Sequence, residues 1–173
     1  MNTTPRTIRI GDGTGIRIRP LLRSVLLAEL LAPSPQLWLV SPWITDVDVI
    51  DNNSGEFDAA FGDDSVTVCR LSDALGRICT SGADLHVVAR PDQHNDRFID
   101  RLTTQAPNDR LTISLAPEIH EKTFCGKDWM LTGSMNFTVR GMVFNDEAVT
   151  YSVGGAQPGQ ARLDLERRWG AAT

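Results

Sequence analysis

The spacing of hydrophobic and polar residues changes several times along this chain, and each change predicts a different element of secondary structure. Near the amino terminus, Thr7–Ile10 and Ile16–Arg19 both alternate apolar and polar residues, and the glycine-rich segment Gly11–Gly15 lies between them. Alternation with a period of two is typical of strands, and glycines permit a tight turn. Residues 1–19 are therefore predicted to form an N-terminal β-hairpin extension.

The rest of the chain alternates between short apolar runs and longer amphipathic segments. The short runs predict buried strands at Gln36–Val40, Leu85–Ala89, Leu111–Leu115 and Ala148–Val153. Apolar residues at helical spacing predict helices at Leu21–Leu30, Leu71–Thr80, Asp92–Thr104 and Gln160–Trp169, the first of them ending near Pro33. Strands that alternate with helices are typical of an α/β sandwich around a mixed sheet. We expect residues 1–173 to form a single domain, since no linker or internal repeat interrupts the pattern.

Three further segments have a weaker pattern. Trp43–Asp64 is polar, acidic and contains glycine, so it is predicted to be mostly loop. Val66–Cys69 is either a short strand or the lead into the helix that follows it. Farther along, Glu121–Cys125 and Trp129–Thr132 flank Gly126–Asp128, which predicts a second hairpin.

Composition places the chain among ordinary globular proteins. Of its 173 residues, 41% are hydrophobic and 23% are charged, so it can bury a substantial core. Its net charge of −5 argues against a surface that is basic throughout, as in proteins that coat nucleic acid. A local basic patch remains compatible with that charge, because binding depends on where the charges lie.

The cysteines and the amino terminus bear on the cellular compartment. Cys69, Cys79 and Cys125 are an odd number without paired spacing, which favours a reducing compartment over a disulfide framework and gives no zinc motif. The polar stretch Met1–Arg9 lacks the apolar run of a signal peptide. The apolar stretch Leu21–Leu31 is too short and too interrupted to span a bilayer. We therefore expect a cytoplasmic protein without a membrane partner.

The residues most informative about chemistry lie between positions 120 and 136. Residues i and i+2 of a strand point to the same face, so His120 and Lys122 are expected to project together. Gly133 permits a tight turn at the end of the return strand, which would bring Ser134 and Asn136 beside the start of the same hairpin. An imidazole can act as a nucleophile, while an ammonium, a hydroxyl and an amide can donate to phosphate oxygens. This set suits phosphoryl transfer without a metal or another cofactor.

This pattern resembles the signature of the phospholipase D superfamily, which is His-x-Lys, four residues, Asp, six residues and Gly-Ser-x-Asn. The residues that match it are His120, Lys122, Gly133, Ser134 and Asn136. A further family feature, Asn-x-Glu at the start of the next strand, is matched by Asn145-Asp-Glu147. The resemblance implies the family fold, a phospholipase-D-like α-β-α sandwich around a mixed sheet.

The acidic residue of the signature is displaced in this sequence. The family pattern places the Asp at position 127, where Lys127 stands, and Asp128 follows one position later. The interval from Lys122 to Gly133 is also one residue shorter than in the family. Either Asp128 substitutes for the motif acid, or its role is lost.

The resemblance also implies a mechanism. In this superfamily one histidine attacks phosphorus and forms a phosphohistidine, a second histidine protonates the leaving group, and no metal is needed. The chain has one such motif, because His86 and His94 lack a lysine two positions later. The second histidine is therefore expected from another copy of the chain, which predicts a homodimer with a shared site. Glu147 is expected to accept a hydrogen bond from His120 and fix its tautomer.

The resemblance is closest to short bacterial members with a single motif, which include nucleases. It implies a metal-independent phosphodiesterase, with DNA or another nucleic acid as substrate, in restriction or phage defence. Arg90, Arg140 and Lys127 are candidates to hold a nucleic-acid backbone. One alternative is a catalytically inactive subunit that binds nucleic acid or acts as a scaffold with other proteins of a defence complex. Another is a phospholipase, although the chain lacks an amphipathic stretch suited to binding membranes.

Overall fold

The predicted strands and helices recur with few changes in a computed structural model, which describes residues 5–10, 18–64, 66–143 and 147–170. In chain order the elements are β1 (Arg6–Ile10), α1 (Arg19–Leu31), β2 (Gln36–Val40), β3 (Asp48–Asp51), α2 (Asp58–Phe61), β4 (Val68–Arg70), α3 (Leu71–Thr80), β5 (Asp84–Ala89), α4 (Gln93–Gln105), β6 (Leu111–Leu115), β7 (Thr123–Cys125), β8 (Trp129–Gly133), α5 (Val139–Val143), β9 (Glu147–Val153) and α6 (Gln157–Trp169). The hairpin predicted before Thr132 is formed by β7 and β8.

Most strands form a mixed seven-stranded sheet in the order β1-β9-β8-β7-β2-β5-β6, while β3 and β4 pair separately. β2, β5 and β6 are parallel to one another. β7 pairs antiparallel with β2, and the antiparallel half of the sheet continues through β8 and β9 to β1. Leu37–Val40 has 0% exposure, as expected for a central strand covered on both faces. The parallel half places the carboxyl ends of β2, β5 and β6 at the same edge.

Two apolar cores lie on opposite faces of this sheet, because alternate residues of each strand point to opposite sides. Leu37 and Leu39 of β2 belong to the larger core, together with residues of α1, α3 and α4. Trp38 and Val40 belong to the smaller core, in which Leu165 of α6 is buried. The chain therefore has the three-layered α-β-α architecture that the sequence predicts.

The amino-terminal segment differs from its prediction in what it contacts. β1, the first arm of the predicted hairpin, pairs antiparallel with β9, with Ile8 opposite Val149. A strand gains more stability at the edge of a large sheet than in an isolated hairpin, and Ile8 also packs against the larger core. Arg19, predicted as the end of the second arm, instead begins α1. The predicted turn and the rest of that arm, residues 11–17, lie outside the described residues.

Trp43–Asp64 is mostly loop, as predicted, but it also contains β3 and α2, which the sequence did not predict. In β3 the two central residues, Val49 and Ile50, are buried, and the flanking Asp48 and Asp51 are exposed. A pair of apolar residues between acids is too short to give a strand pattern in the sequence. The neighbouring uncertainty is resolved in favour of a strand, β4, which pairs with β3 and leads directly into α3. The short helix α5 was not predicted, and the single domain over 1–173 stays a prediction.

Candidate active site

The carboxyl ends of the parallel strands bring three segments of the chain together at one edge of the sheet. These segments follow β2 at Ser41, β5 at Arg90 and β6 at Ala116. The backbone N–H of Arg90 donates to the carbonyl of Pro42 at 3.3 Å. The N–H of Ala116 donates to the carbonyl of Ala89 at 2.8 Å. In open α/β sheets, ligands bind at this kind of edge.

His120 and Lys122 lie at this edge, just before β7 begins at Thr123. Nζ of Lys122 donates to the carbonyl oxygen of His120 at 2.6 Å. The carbonyl of Lys122 accepts hydrogen bonds from the N–H of Gly133 at 3.3 Å and the hydroxyl of Thr132 at 3.2 Å, which brings the end of β8 beside it. His120 is exposed, and Lys122 is half-buried. The side chain of Lys122 therefore contacts the backbone of His120, although neither residue lies within the strand.

Ser134 is connected to β9 by its backbone and by its side chain. Its N–H donates to the carbonyl of Ala148 at 3.1 Å, and its hydroxyl accepts from the N–H of Ala148 at 3.1 Å. The hydroxyl proton is donated to the carboxylate of Glu147. Gly133 permits this close approach, because a Cβ there would lie 2.0 Å from the Ala148 carbonyl oxygen. Asn145, the other half of the predicted Asn-x-Glu feature, lies outside the described residues.

Asn136 follows in a loop that is fixed on both sides. The carbonyl of the next residue, Phe137, accepts from the N–H of Thr45 at 2.8 Å. Gly141 of α5 packs so closely that a Cβ there would lie 2.4 Å from the Asn136 carbonyl oxygen. The side chain of Asn136 is half-buried, and its buried Oδ1 has no hydrogen-bond partner among the described residues. A buried polar atom without a partner is uncommon in folded proteins and is often found where a ligand or water binds.

Arg90 is in direct contact with His120. Its Nη2 lies 3.2 Å from Nδ1 and 3.2 Å from Nε2 of the imidazole. Its Nε donates to the carbonyl of Ile119 at 3.1 Å. The guanidinium carbon lies 4.8 Å from the centre of the Trp43 ring, in cation–π geometry. The sequence indicated Arg90 only as a flanking cation, whereas the structure places it against the candidate nucleophile.

Asn95 holds this arrangement together and was missed in the sequence. It is fully buried, and its Oδ1 accepts from the N–H of Ile44 at 2.8 Å. Its Nδ2 donates to the carbonyls of Pro42 and Arg90, each at 2.9 Å. Asn95 thereby joins the segments that carry Trp43 and Arg90. An asparagine in the first turn of a helix is usually exposed, so nothing in the pattern marked it.

Asp92 orients the indole of Trp43. Its carboxylate accepts from the backbone N–H of His94 at 2.9 Å and from Nε1 of Trp43 at 3.2 Å. These hydrogen bonds, that from His94 first, lower the pKa of Asp92 below its usual range, so the carboxylate remains charged near neutral pH. The side chain of His94 points elsewhere along the same edge, with Nε2 2.9 Å from the Thr45 hydroxyl.

Other predicted residues lie elsewhere or make contacts that were not expected. Asp128 and Lys127 lie in the turn at the opposite end of the β7–β8 hairpin, where the Asp128 carbonyl accepts from the N–H of Gly154 at 2.6 Å. The expected hydrogen bond between His120 and Glu147 is not present among the described residues, in which His120 contacts Arg90 and Glu147 accepts from Ser134. Arg140 is exposed in α5, near Asn136 in the chain.

Two general features complete the description. Within the described ranges, no helix combines the length and the apolar character needed to cross a membrane. The same ranges contain no group of three or more His, Cys, Asp or Glu side chains placed to hold a metal ion. A cavity of about 910 Å³ is lined by residues of α1, α2, β4 and α3, away from the edge that carries His120.

Comparisons with solved structures place this fold among known proteins. The chain is similar to Nuc from Salmonella typhimurium, a phospholipase D family member, with a TM-score of 0.62 and 13% identity over 96% of this chain and 95% of that one. It is also similar to NucT from Helicobacter pylori, with a TM-score of 0.61 and 10% identity over 95% and 94% of the two chains. The archaeal chromatin protein TrmBL2 shares the fold at a TM-score of 0.56 and 11% identity, over 95% of this chain and 51% of TrmBL2. No protein-family model and no curated protein sequence matches the chain. These likenesses show the phospholipase-D-like fold.

Proposed function

We propose that this protein is a phosphodiesterase of the phospholipase D type, in which His120 is the nucleophile. The observation that carries the proposal is the placement of His120, Lys122, Ser134 and Asn136 around one end of the β7–β8 hairpin. They lie in a fold shared with a phospholipase D family member of nearly equal length. No other edge of the described sheet combines an exposed imidazole with a lysine and an amide in this way.

The proposed reaction has two displacements at phosphorus. In the first, the lone pair of the neutral His120 imidazole forms a P–N bond, the P–O bond to the leaving group breaks, and a second imidazolium gives that oxygen a proton. In the second, water attacks phosphorus, the second imidazole takes a proton from the water, and the P–N bond breaks. The ammonium of Lys122 and the amide N–H of Asn136 would stabilise the charge on the non-bridging oxygens.

The second imidazole is proposed to be His120 of another copy of the chain. His86 does not suit this role, because its ring stacks on Trp38 in the smaller core, with ring centres 4.1 Å apart. His94 lies on the same edge as the site and is the rival within one chain. Two observations discriminate the two possibilities. If the site is shared, the active particle has about twice the chain mass of 19.0 kDa, and His94→Ala keeps its activity. If catalysis occurs within one chain, His94→Ala loses its activity, and the unmodified protein stays active when it is diluted to monomers.

We propose nucleic acid as the substrate and a cytoplasmic role in restriction or phage defence. In length, single motif and the segment Ser41–Thr45, the chain resembles DpdK, the phospholipase-D-like component of bacterial clusters that modify DNA with 7-deazapurines and restrict it. The rival is a protein that binds DNA without cleaving it. The fold is shared with TrmBL2, an archaeal chromatin protein with a novel mode of DNA binding, and this likeness is the reason to test binding without cleavage.

The test is incubation in EDTA with four phosphodiesters: bis-p-nitrophenyl phosphate, single-stranded DNA, duplex DNA and phosphatidylcholine vesicles. Cleavage of the DNA or the small diester is expected, together with phosphate trapped on His120 by acid quench and found by mass spectrometry. His120→Ala should remove activity and the trapped phosphate while leaving the circular dichroism spectrum unchanged. Retained cleavage in that variant would overturn the assignment. Binding of DNA without cleavage would favour the non-catalytic rival, and cleavage of the vesicles alone a phospholipase.

A further inference from the structure

We propose that Arg90 is a second cationic ligand of the substrate phosphate, beside Lys122, and that its contact with His120 is the resting position of this arginine. The inference rests on the proposed function, because it names a further residue of the same site. The sequence indicated Arg90 only as a candidate to hold a nucleic-acid backbone, outside the residues that match the signature, and the structure adds its contact with His120.

The guanidinium of Arg90 has hydrogen-bonding capacity to spare. An arginine carries five N–H donors, of which Nε is used by the Ile119 carbonyl and one N–H of Nη2 by the His120 ring. The remaining donors have no protein acceptor in the described part of the chain, and no carboxylate there forms a salt bridge with Arg90. Lys122 likewise has no acidic partner among the described residues, and it donates only to the His120 carbonyl. Two cations without a salt bridge, one at the ring of His120 and one at its backbone carbonyl, fit an anion such as a phosphodiester.

The contact with His120 occupies the atom that the reaction needs. Arginine can only donate hydrogen bonds, and a neutral imidazole offers a single nitrogen lone pair. Nη2 of Arg90 lies at the same distance, 3.2 Å, from both ring nitrogens, so it covers whichever of them carries the lone pair that would attack phosphorus. While Arg90 remains there, His120 cannot form the P–N bond. An anionic phosphate oxygen is a stronger acceptor for a guanidinium than a neutral ring nitrogen, so a bound diester would draw Arg90 away and free the lone pair.

The surroundings of Arg90 permit this transfer without a change of fold. Its carbonyl accepts from Nδ2 of Asn95 and from the N–H of Asp92, each at 2.9 Å, and its N–H is held by Pro42. The ring of Trp43 supports the guanidinium from one side. Only the end of the side chain has to move, from the ring of His120 to a phosphate oxygen beside it.

The first experiment measures the equilibrium binding of inorganic phosphate by isothermal titration calorimetry in EDTA. It requires no turnover of a substrate. Arg90→Ala should weaken binding by roughly tenfold or more, which corresponds to the loss of a charge-assisted hydrogen bond. The phosphate affinity of Arg90→Lys should lie between those of the unmodified protein and Arg90→Ala, because lysine keeps the charge and loses the planar guanidinium group. Arg110→Ala is the matched control, since Arg110 pairs with Asp84 at the other edge of the sheet and its loss should leave phosphate affinity unchanged. Unchanged affinity in Arg90→Ala would overturn the proposal.

The second measurement is acylation of histidines by diethyl pyrocarbonate in the phosphate-free protein, read residue by residue by mass spectrometry. His120 should react faster in Arg90→Ala than in the unmodified protein, because its lone pair is uncovered. His94 is the internal reference, and its rate should not change. A purely structural role of Arg90 would alter both histidines together, and an unchanged His120 rate would refute the resting contact. If no diester is cleaved but phosphate binding depends on Arg90, the proposed function fails and this inference stands.

Discussion

The two ends of the β7–β8 hairpin differ in how completely their polar groups are bonded. At the turn, the buried carboxylate of Glu29 accepts from the N–H of Ser34 at 2.7 Å, from its hydroxyl at 2.7 Å and from Nε1 of Trp129 at 2.6 Å. At the open end, Oδ1 of Asn136 is buried without a described partner, and Lys122 has no described acidic partner. A site that is to bind an anion must leave hydrogen-bond donors such as the Lys122 ammonium available, whereas a turn that holds the fold must not.

The displaced acid of the signature, Asp128, lies at the turn and not at the end that carries His120. The strand β7, whose three residues span about 10 Å at roughly 3.3 Å of rise per residue, lies between Asp128 and that end. At the turn, the hydroxyl of Ser34 also accepts from the N–H of Lys127 at 2.8 Å. In this chain the signature therefore joins two kinds of residue, those proposed to carry the chemistry and one that belongs to the hairpin turn. We expect the displacement of the acid to affect packing at the turn more than the reaction.

The largest expected effect separates the two lysines of the hairpin. Lys122→Ala should lower the rate of diester cleavage by roughly 100- to 1000-fold, because it removes a donor to the charge that develops on phosphate oxygens. Lys127→Ala makes the same chemical change at the turn, where the side chain is exposed, and should leave the rate unchanged. The measurement is kcat/KM for bis-p-nitrophenyl phosphate. Equal losses in both variants would mean that charge near the hairpin, and not the placement of Lys122, is what matters.

The open end was also the end that the sequence described better. The spacing of His120, Lys122, Ser134 and Asn136 indicated that they lie around one end of a hairpin. This could be seen in the sequence because the hairpin that joins them is local in the chain. Most of the fold was predictable for a similar reason, since buried strands and amphipathic helices have distinct periods.

What the sequence did not show are contacts between residues far apart in the chain. Arg90 meets His120 across 30 positions, and Glu29 meets Trp129 across 100. Neither pair follows from periodicity or from spacing. Likewise, β3 was hidden because its apolar pair lies between two acids, and the pairing of β1 with β9 depends on the two ends of the chain meeting.

The next effect is on stability and should appear at the turn. Glu29→Ala should lower the free energy of unfolding by about 3 kcal/mol or more, because it leaves the buried donors of Ser34 and Trp129 without an acceptor. Glu118→Ala removes an exposed acid near His120 and should change stability by less than about 0.5 kcal/mol. Urea unfolding followed by circular dichroism measures both. A small loss in Glu29→Ala would show that the turn is not the stabilising end.

A smaller effect concerns the histidine that the reaction does not use. Burial lowers the pKa of His86 in the folded protein, with Asp84 and then Glu166 opposing the shift. A base whose pKa is lowered by folding contributes stability above its unfolded pKa of about 6.5, and that stability is lost as the pH falls through that value. Unfolding should therefore become easier as the pH falls below about 6.5 toward the lower pKa of His86 in the folded protein. His86→Phe keeps a ring against Trp38 and should flatten this dependence.

The smallest effect is a local one, and it reports directly on the strand between the two ends. Burial raises the pKa of Cys125 in β7 to about 12 and that of Cys69 in β4 to about 12, so neither thiol should react with iodoacetamide in the native protein. Glu29→Ala should speed the labelling of Cys125 more than that of Cys69, because the turn beside Cys125 opens without global unfolding. Lys122→Ala should change neither rate. If both thiols of Glu29→Ala react at the same increased rate, the turn opens only when the whole protein unfolds, and the two ends of the hairpin form one cooperative unit.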